Sequence, residues 1–123
     1  MEPEALAVTI VTAEEQLRGW LNAIRRGSST SKVIWAYAGL HAAMDYFNSV
    51  YLLDFDQTAY TRYEELRRQR IHVGTQDLRI AAIVLSVDSI LVTRNQRDFA
   101  QVPGLVLQDW TIPSTRRGRR VGR

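Results

Sequence analysis

Residues 75–86 contain Leu78, Ile80, Ala81, Ala82, Ile83, Val84 and Leu85, and Ile90-Leu91-Val92 follow almost at once. Leu78, Ala81, Ala82 and Leu85 recur at helical spacing, and Ile80, Ile83 and Val84 widen the stripe. Such a helix must be buried on most sides. The apolar run after it, set off by Asp88-Ser89, reads as a buried strand over 90–93. A mostly buried helix leading into a buried strand needs a layered α/β architecture around it.

The rest of the chain repeats the alternation. Residues 7–11 (Ala-Val-Thr-Ile-Val) are apolar and β-branched, a second buried strand. Thr12 then starts a helix carrying Leu17, Trp20, Leu21 and Ile24, which Gly27 ends. After a polar loop, 32–49 reads as a longer helix with Ile34, Tyr37, Ala38, His41, Met44 and Phe47 as its core stripe. His41, on that stripe, is expected to be buried and hydrogen-bonded. Trp20, Trp35, Tyr37 and Tyr46 read as core or dimer contacts. A strand over 50–55 precedes a helix that Asp56 can cap, with Ala59, Tyr63 and Leu66 inward and Arg67-Arg68-Gln69-Arg70 at its end. Beyond 90–93 come a helical turn at 96–100 and a last strand at 105–109. The expectation is a parallel sheet between helices, in one domain spanning 1–112.

The formal charge of +3 is concentrated at one end. Arg116, Arg117, Arg119, Arg120 and Arg123 account for more than all of it, so the rest of the chain is net negative. Residues 113–123 read as a basic, disordered tail, able to meet nucleic-acid phosphates or simply solvated. The absence of cysteine excludes disulfides and zinc–thiolate sites and suits a reducing cytoplasm. No apolar run approaches a membrane span, and no secretory leader is evident. His41 and His72 have no zinc-site spacing. No nucleophile elbow or phosphate-binding glycine loop appears.

Ligand sites in open α/β sheets lie off the carboxyl ends of the strands. Glu15 falls four residues beyond the first strand, Asp77 opens the buried helix, and Asp98 follows the strand 90–93. Converging carboxylates repel unless a cation neutralises them. Mg²⁺ or Mn²⁺ is the natural choice, being hard and oxygen-liganded. Such an ion activates water and stabilises charge on a phosphodiester. Each acid also has a structural reading. Thr12-Ala13-Glu14-Glu15 forms a capping box, Asp77 suits a helix dipole, and Asp98 suits a turn. Glu14 rivals Glu15 on spacing alone.

The motifs favour the metal reading by resemblance. Val8-Thr9-Ile10-Val11-Thr12-Ala13-Glu14-Glu15, with Gly19 four residues on, resembles the strand-then-helix motif of PIN-domain nucleases, the toxins of VapBC-type pairs. There Thr precedes the metal-site Glu by three residues and Gly follows it by four, which selects Glu15. Gly74-Thr75-x-Asp77-Leu78-x-Ile80-Ala81-Ala82 is similar to the family's third acidic motif. Thr93-Arg94-Asn95-x-Arg97-Asp98-Phe99 is similar to its last. The resemblance runs in family order from about residue 7 to Trp110.

It implies a three-layer α/β/α PIN-like fold and a VapC-type endoribonuclease using Mg²⁺ or Mn²⁺. Glu15, Asp77 and Asp98 would be metal ligands, Asn95 their support, and Arg94 and Arg97 RNA contacts. A homodimer and a VapB-type antitoxin are the implied partners. The family's first strand, ending in Asp, has no counterpart before residue 7. In the family it lies mid-sheet, between the strands read here at 7–11 and 90–93, so its loss should leave two strand edges unpaired. Glu2 and Glu4 precede a strand, at the wrong end of the sheet to replace that Asp. The alternative function is a catalytically inactive PIN remnant, or half of a split protein, serving as an antitoxin-binding or dimerisation module.

Overall fold

The structure is a computed structural model and describes residues 6–109 and 119–123. Its elements are β1 (Leu6–Thr9), α1 (Ile10–Arg26), α2 (Thr30–Ser49), β2 (Tyr51–Leu53), α3 (Gln57–Arg68), α4 (Thr75–Ser86), β3 (Ile90–Val92), α5 (Gln96–Phe99), β4 (Val106–Gln108) and β5 (Arg120–Gly122). The strands form one sheet in the order β2-β1-β5-β3-β4, and every pairing is parallel. Glu2, Glu4 and residues 113–118 lie outside the described residues.

Two cores, one on each face of the sheet, follow from the side-chain alternation of the strands. Ala7, Leu53, Leu91 and Val121 pack with α3 and α4 residues, including Tyr63, Leu66, Leu78 and Ile83. Val8 and Leu52 pack on the other face with Ala13, Ala43 and Phe47. This is the three-layer α/β/α arrangement expected from the sequence. The helix at 75–86 matches its expected limits, and Ile80 through Val84 are all fully buried in it. Asp56 caps α3 as expected, its Oδ1 accepting the Ala59 N–H at 3.0 Å.

The structure corrects the sequence reading in four places. The first concerns α1, which begins at Ile10 rather than at Thr12. Thr9 is its N-cap, and the Thr9 Oγ1 accepts the Thr12 N–H at 3.1 Å. A satisfied cap outweighs the strand propensity of Ile10 and Val11. The Thr12–Glu15 capping box therefore does not form.

The second concerns the face of α2. Ile34, Tyr37 and Met44 are exposed, as are Ala38 and His41, and only Phe47 of the expected stripe is buried. The helix packs instead through Ala36, Gly39 and Ala43. A Cβ on Gly39 would lie 2.2 Å from the Trp20 ring, so only glycine admits this approach. Close packing through small residues rotates the bulky row outward. His41 meets solvent beside Asp45, at 3.3 Å. Trp35 and Tyr46 are likewise exposed, although Trp35 stacks edge-on against the half-buried Trp20.

The third and fourth concern the end of the chain. Residues 120–122 are a strand, not part of a disordered tail, and they lie between β1 and β3. The edges expected to be unpaired are therefore paired with each other through β5. Val121 is fully buried there. Ile90 N–H donates to the Arg119 carbonyl at 2.7 Å, and Arg123 N–H donates to the Val92 carbonyl at 3.0 Å. Gly122 allows close approach to β1, since a Cβ there would meet Leu6 Cδ2 at 2.9 Å.

Candidate functional site

Three chain segments deliver acids to the carboxyl end of the sheet. With Thr9 as the cap, Glu15 sits in the second turn of α1, free of any capping role. Asp77 lies in the first turn of α4, which Gly74 caps without a side-chain hydrogen bond. Asp98 lies on α5, just past β3. Asp77 interacts electrostatically with both Glu15 and Asp98, so the three expected acids share one neighbourhood.

Arg123 joins two of them. Arg123 Nη1 donates to Glu15 Oε1 at 2.6 Å, and Nη2 reaches Glu15 Oε2 at 3.5 Å and Asp77 Oδ1 at 2.7 Å. The three side chains are between a fifth and a third exposed, so this pairing is far less screened than a surface ion pair. Burial raises the Asp77 pKa above its ordinary value. Arg123 pulls it down, Glu15 and Asp98 push it further up, and burial prevails. Charged only at the expense of hydration, Asp77 is the acid most dependent on a neighbouring cation.

The remaining candidates are arranged around this pair. Asn95 Nδ2 donates to Asp98 Oδ2 at 3.0 Å, fixing that carboxylate, and Asn95 N–H donates to Thr93 Oγ1 at 3.0 Å. Thr93, Arg94, Asn95 and Arg123 line a shallow cleft of about 530 Å³. Arg94 and Arg97 are exposed. Glu14, the rival of Glu15, points elsewhere: Arg18 pairs with it, and Gln76 Nε2 donates to its Oε1 at 2.9 Å. Arg123 is the site residue that the sequence reading missed. Nothing local marks it, because its role depends on a strand pairing across most of the chain.

The arrangement does not fit a divalent ion as it stands. Glu15 and Asp77 already direct oxygens at a guanidinium. Among the described residues no group of three His, Cys, Asp or Glu side chains is disposed to hold a metal. Clustered carboxylates call for a positive charge, and here an arginine provides it.

No family model matches the chain. Ribonuclease VapC2 from Rickettsia felis is 32% identical over 63 residues, which is 48% of this chain and 47% of that protein. Ribonuclease VapC1 from Haemophilus influenzae is 39% identical over 46 residues, 37% of this chain and 34% of that protein. The aligned stretches thus span half or less of these relatives. In three dimensions the likeness is wider. VapBC-1 from nontypeable Haemophilus influenzae matches with a TM-score of 0.71 at 23% identity, covering 91% of this chain and 79% of that one. VapBC2 from Rickettsia felis, bound to a promoter DNA fragment, matches at 0.67 and 24% identity, covering 86% and 75%. With its parallel sheet, its flanking helices and this sequence kinship over about half its length, the chain has the PIN-domain fold of VapC-type proteins.

Proposed function

We propose that the chain is a PIN-type ribonuclease of the VapC class, hydrolysing RNA phosphodiester bonds at the end of the sheet where Glu15, Asp77 and Asp98 meet. The convergence of these acids from α1, α4 and α5 carries the reading, since a mutually repelling cluster beside a strand end is a poor device for stability alone. Asn95 holds the Asp98 carboxylate in place. Arg94 and Arg97, exposed beside the cleft, are suited to RNA phosphates. Mg²⁺ or Mn²⁺ is the cofactor the motif resemblance implies, and in the structure the positive charge beside Glu15 and Asp77 is that of Arg123. The reaction belongs in the cytoplasm. Among the described residues no helix is long and apolar enough to cross a membrane.

The test is cleavage of a structured RNA by the purified chain with Mn²⁺ or Mg²⁺, with and without EDTA, beside Asp77→Asn and Asp98→Asn. Cleavage abolished by EDTA and by both substitutions is the expected result. Identical traces for the chain and both variants would refute it.

A second reading has its own observation. Ile34, Trp35, Tyr37 and Met44 of α2, with Leu21 of α1, are each more than half exposed. Apolar clusters of this kind mark association surfaces. They suit a VapB-type antitoxin or a second copy of the chain, and both assemblies are compatible with an acidic site that is closed or inactive.

A further inference from the structure

The basic run at the end of α3 has no part in the site described above. From Leu66 to Gln76 the chain carries Arg67, Arg68 and Arg70 and no acid, although without its five last arginines the whole chain is net negative. Arg67 and Arg68 lie in the last turn of α3, where a cation complements the helix dipole. That accounts for neither Arg70, which lies beyond the helix, nor Arg79, in the second turn of α4.

The two helices bring these cations together. The guanidinium carbons of Arg67 and Arg79 lie over one ring, that of the buried Tyr63, at 5.7 and 5.6 Å from its centre. The ring face attracts each cation and offsets part of their mutual repulsion. Arg79 is fixed further: its Nη1 donates to Gln76 Oε1 at 2.7 Å, and Gln76 Nε2 donates in turn to Glu14 Oε1 at 2.9 Å. Among the described residues only Arg67 of the four meets a carboxylate, Glu64 at 2.9 Å. Arg68 and Arg70 are exposed. Arg70 takes a left-handed backbone, φ 53°, and its N–H donates to the Arg67 carbonyl at 3.0 Å. A long side chain is uncommon in that conformation, and such outliers gather at functional surfaces. Four guanidinia, two of them held in place, therefore lie on either side of the α3–α4 connection. Asp77 of the acidic site is two residues before Arg79 in α4.

We propose that this α3–α4 elbow, through Arg67, Arg68, Arg70 and Arg79, is the surface on which single-stranded RNA docks by its phosphates on the way to the acids. The proposal takes the identity of its ligand from the ribonuclease reading, and it concerns binding alone. Guanidinia already held in place bind phosphate with little further loss of side-chain freedom, and each neutralised phosphate releases counterions. The contacts are to the RNA backbone, so the surface sets the path of the strand and not its sequence.

The test is fluorescence anisotropy of a labelled oligouridylate with the full chain, in EDTA, over a series of salt concentrations. Arg68→Gln with Arg70→Gln should weaken binding about tenfold and lower the slope of log K against log salt by about 1.4, the share of two single-strand phosphates. Arg25→Gln with Arg26→Gln removes the same charge from the last turn of α1 and should leave affinity within about twofold, since local contacts and not net charge hold the RNA. Arg70→Gly should weaken binding while melting no lower than the parent, which separates a lost contact from a lost fold. Equal losses in the two double variants, or none in either, overturn the proposal. So does an oligoglutamate probe that binds with the same dependence on Arg68 and Arg70 when the RNA does not, which would give the elbow to an acidic protein segment. Binding with the expected pattern but no cleavage refutes the ribonuclease reading and leaves the docking surface standing. Cleavage in a chain whose RNA affinity ignores Arg68 and Arg70 does the reverse.

Discussion

Arg123 Nη1 lies 2.6 Å from Glu15 Oε1, across 108 positions of sequence, and its other terminal nitrogen is 2.7 Å from Asp77 Oδ1. One guanidinium thus ties the end of the chain to the second turn of its first helix and the first turn of its fourth. Arg123→Ala would leave two partly buried carboxylates facing each other without a cation. The loss should be about 1–3 kcal/mol of stability at neutral pH, measured by urea denaturation. A midpoint unchanged from the parent would show that the pair adds nothing.

The pH response of Asp77 has a definite sign. Its carboxyl pKa is raised in the fold, chiefly by burial, despite the opposing pull of Arg123. An acid with a raised folded pKa contributes stability that is fully present below its unfolded pKa and lost as pH rises through the folded value. The melting-temperature difference between the parent and Asp77→Asn should therefore shift against the parent as pH climbs from about 3 through the raised carboxyl pKa. A difference that moves the other way contradicts the balance of causes described here. In Arg123→Gln the Asp77 pKa should rise further, as read by carboxyl-carbon NMR.

Gly39 is required for packing rather than for backbone freedom. A Cβ there would fall 2.2–2.4 Å from three atoms of the Trp20 ring, a planar group that cannot bend away from it and would have to shift as a whole. Gly39→Ala should destabilise the chain by about 1–3 kcal/mol and disturb the Trp20 fluorescence. Gly19→Ala, where a Cβ meets nothing within 4 Å, is the control and should be neutral or slightly stabilising.

Asp56 contributes through one cap. Removing its carboxylate in Asp56→Ala frees the Ala59 N–H and should cost about 1 kcal/mol. Ile83→Ala, in the centre of the larger core, should cost about 2–5 kcal/mol. Chemical denaturation that ranked these two in the reverse order would place the stability of the chain in its helix ends rather than in its core.

The exposed row on α2 should govern association. Ile34→Ser with Tyr37→Ser removes two residues that are 64% and 57% exposed, so stability should change by no more than about 0.5 kcal/mol per site. Light scattering should show loss of any dimer, and a VapB-type antitoxin should bind more weakly. Unaltered assembly with both would move the interface elsewhere.

Much of this architecture was legible from local pattern. The apolar density of 75–86, the Asp56 cap and the inward Ala59, Tyr63 and Leu66 depend on neighbours within a few residues, and the structure places them as expected. The motif resemblance chose Glu15 over Glu14; in the structure Glu15 pairs with Arg123, and Glu14 is turned to Arg18 and Gln76. Less was legible where two local signals competed. Thr12 read as the start of the first helix where Thr9 caps it, and the apolar row read as the core face of α2 is the exposed one. The Thr9 cap hydrogen bond and the close approach of Gly39 to Trp20 decided these cases, which periodicity cannot see.

The sequence by itself determined the alternation of strands and helices and the parallel sheet, because helix periodicity, caps and short apolar runs are encoded within a few residues. Only the tertiary structure decided that Arg120–Gly122 pair between β1 and β3, and that Arg123 pairs with Glu15 and Asp77. Backbone pairing carries almost no side-chain signature in a strand of three residues. Arg123 meets Glu15 only because the fold brings residues 108 positions apart in sequence within hydrogen-bonding distance.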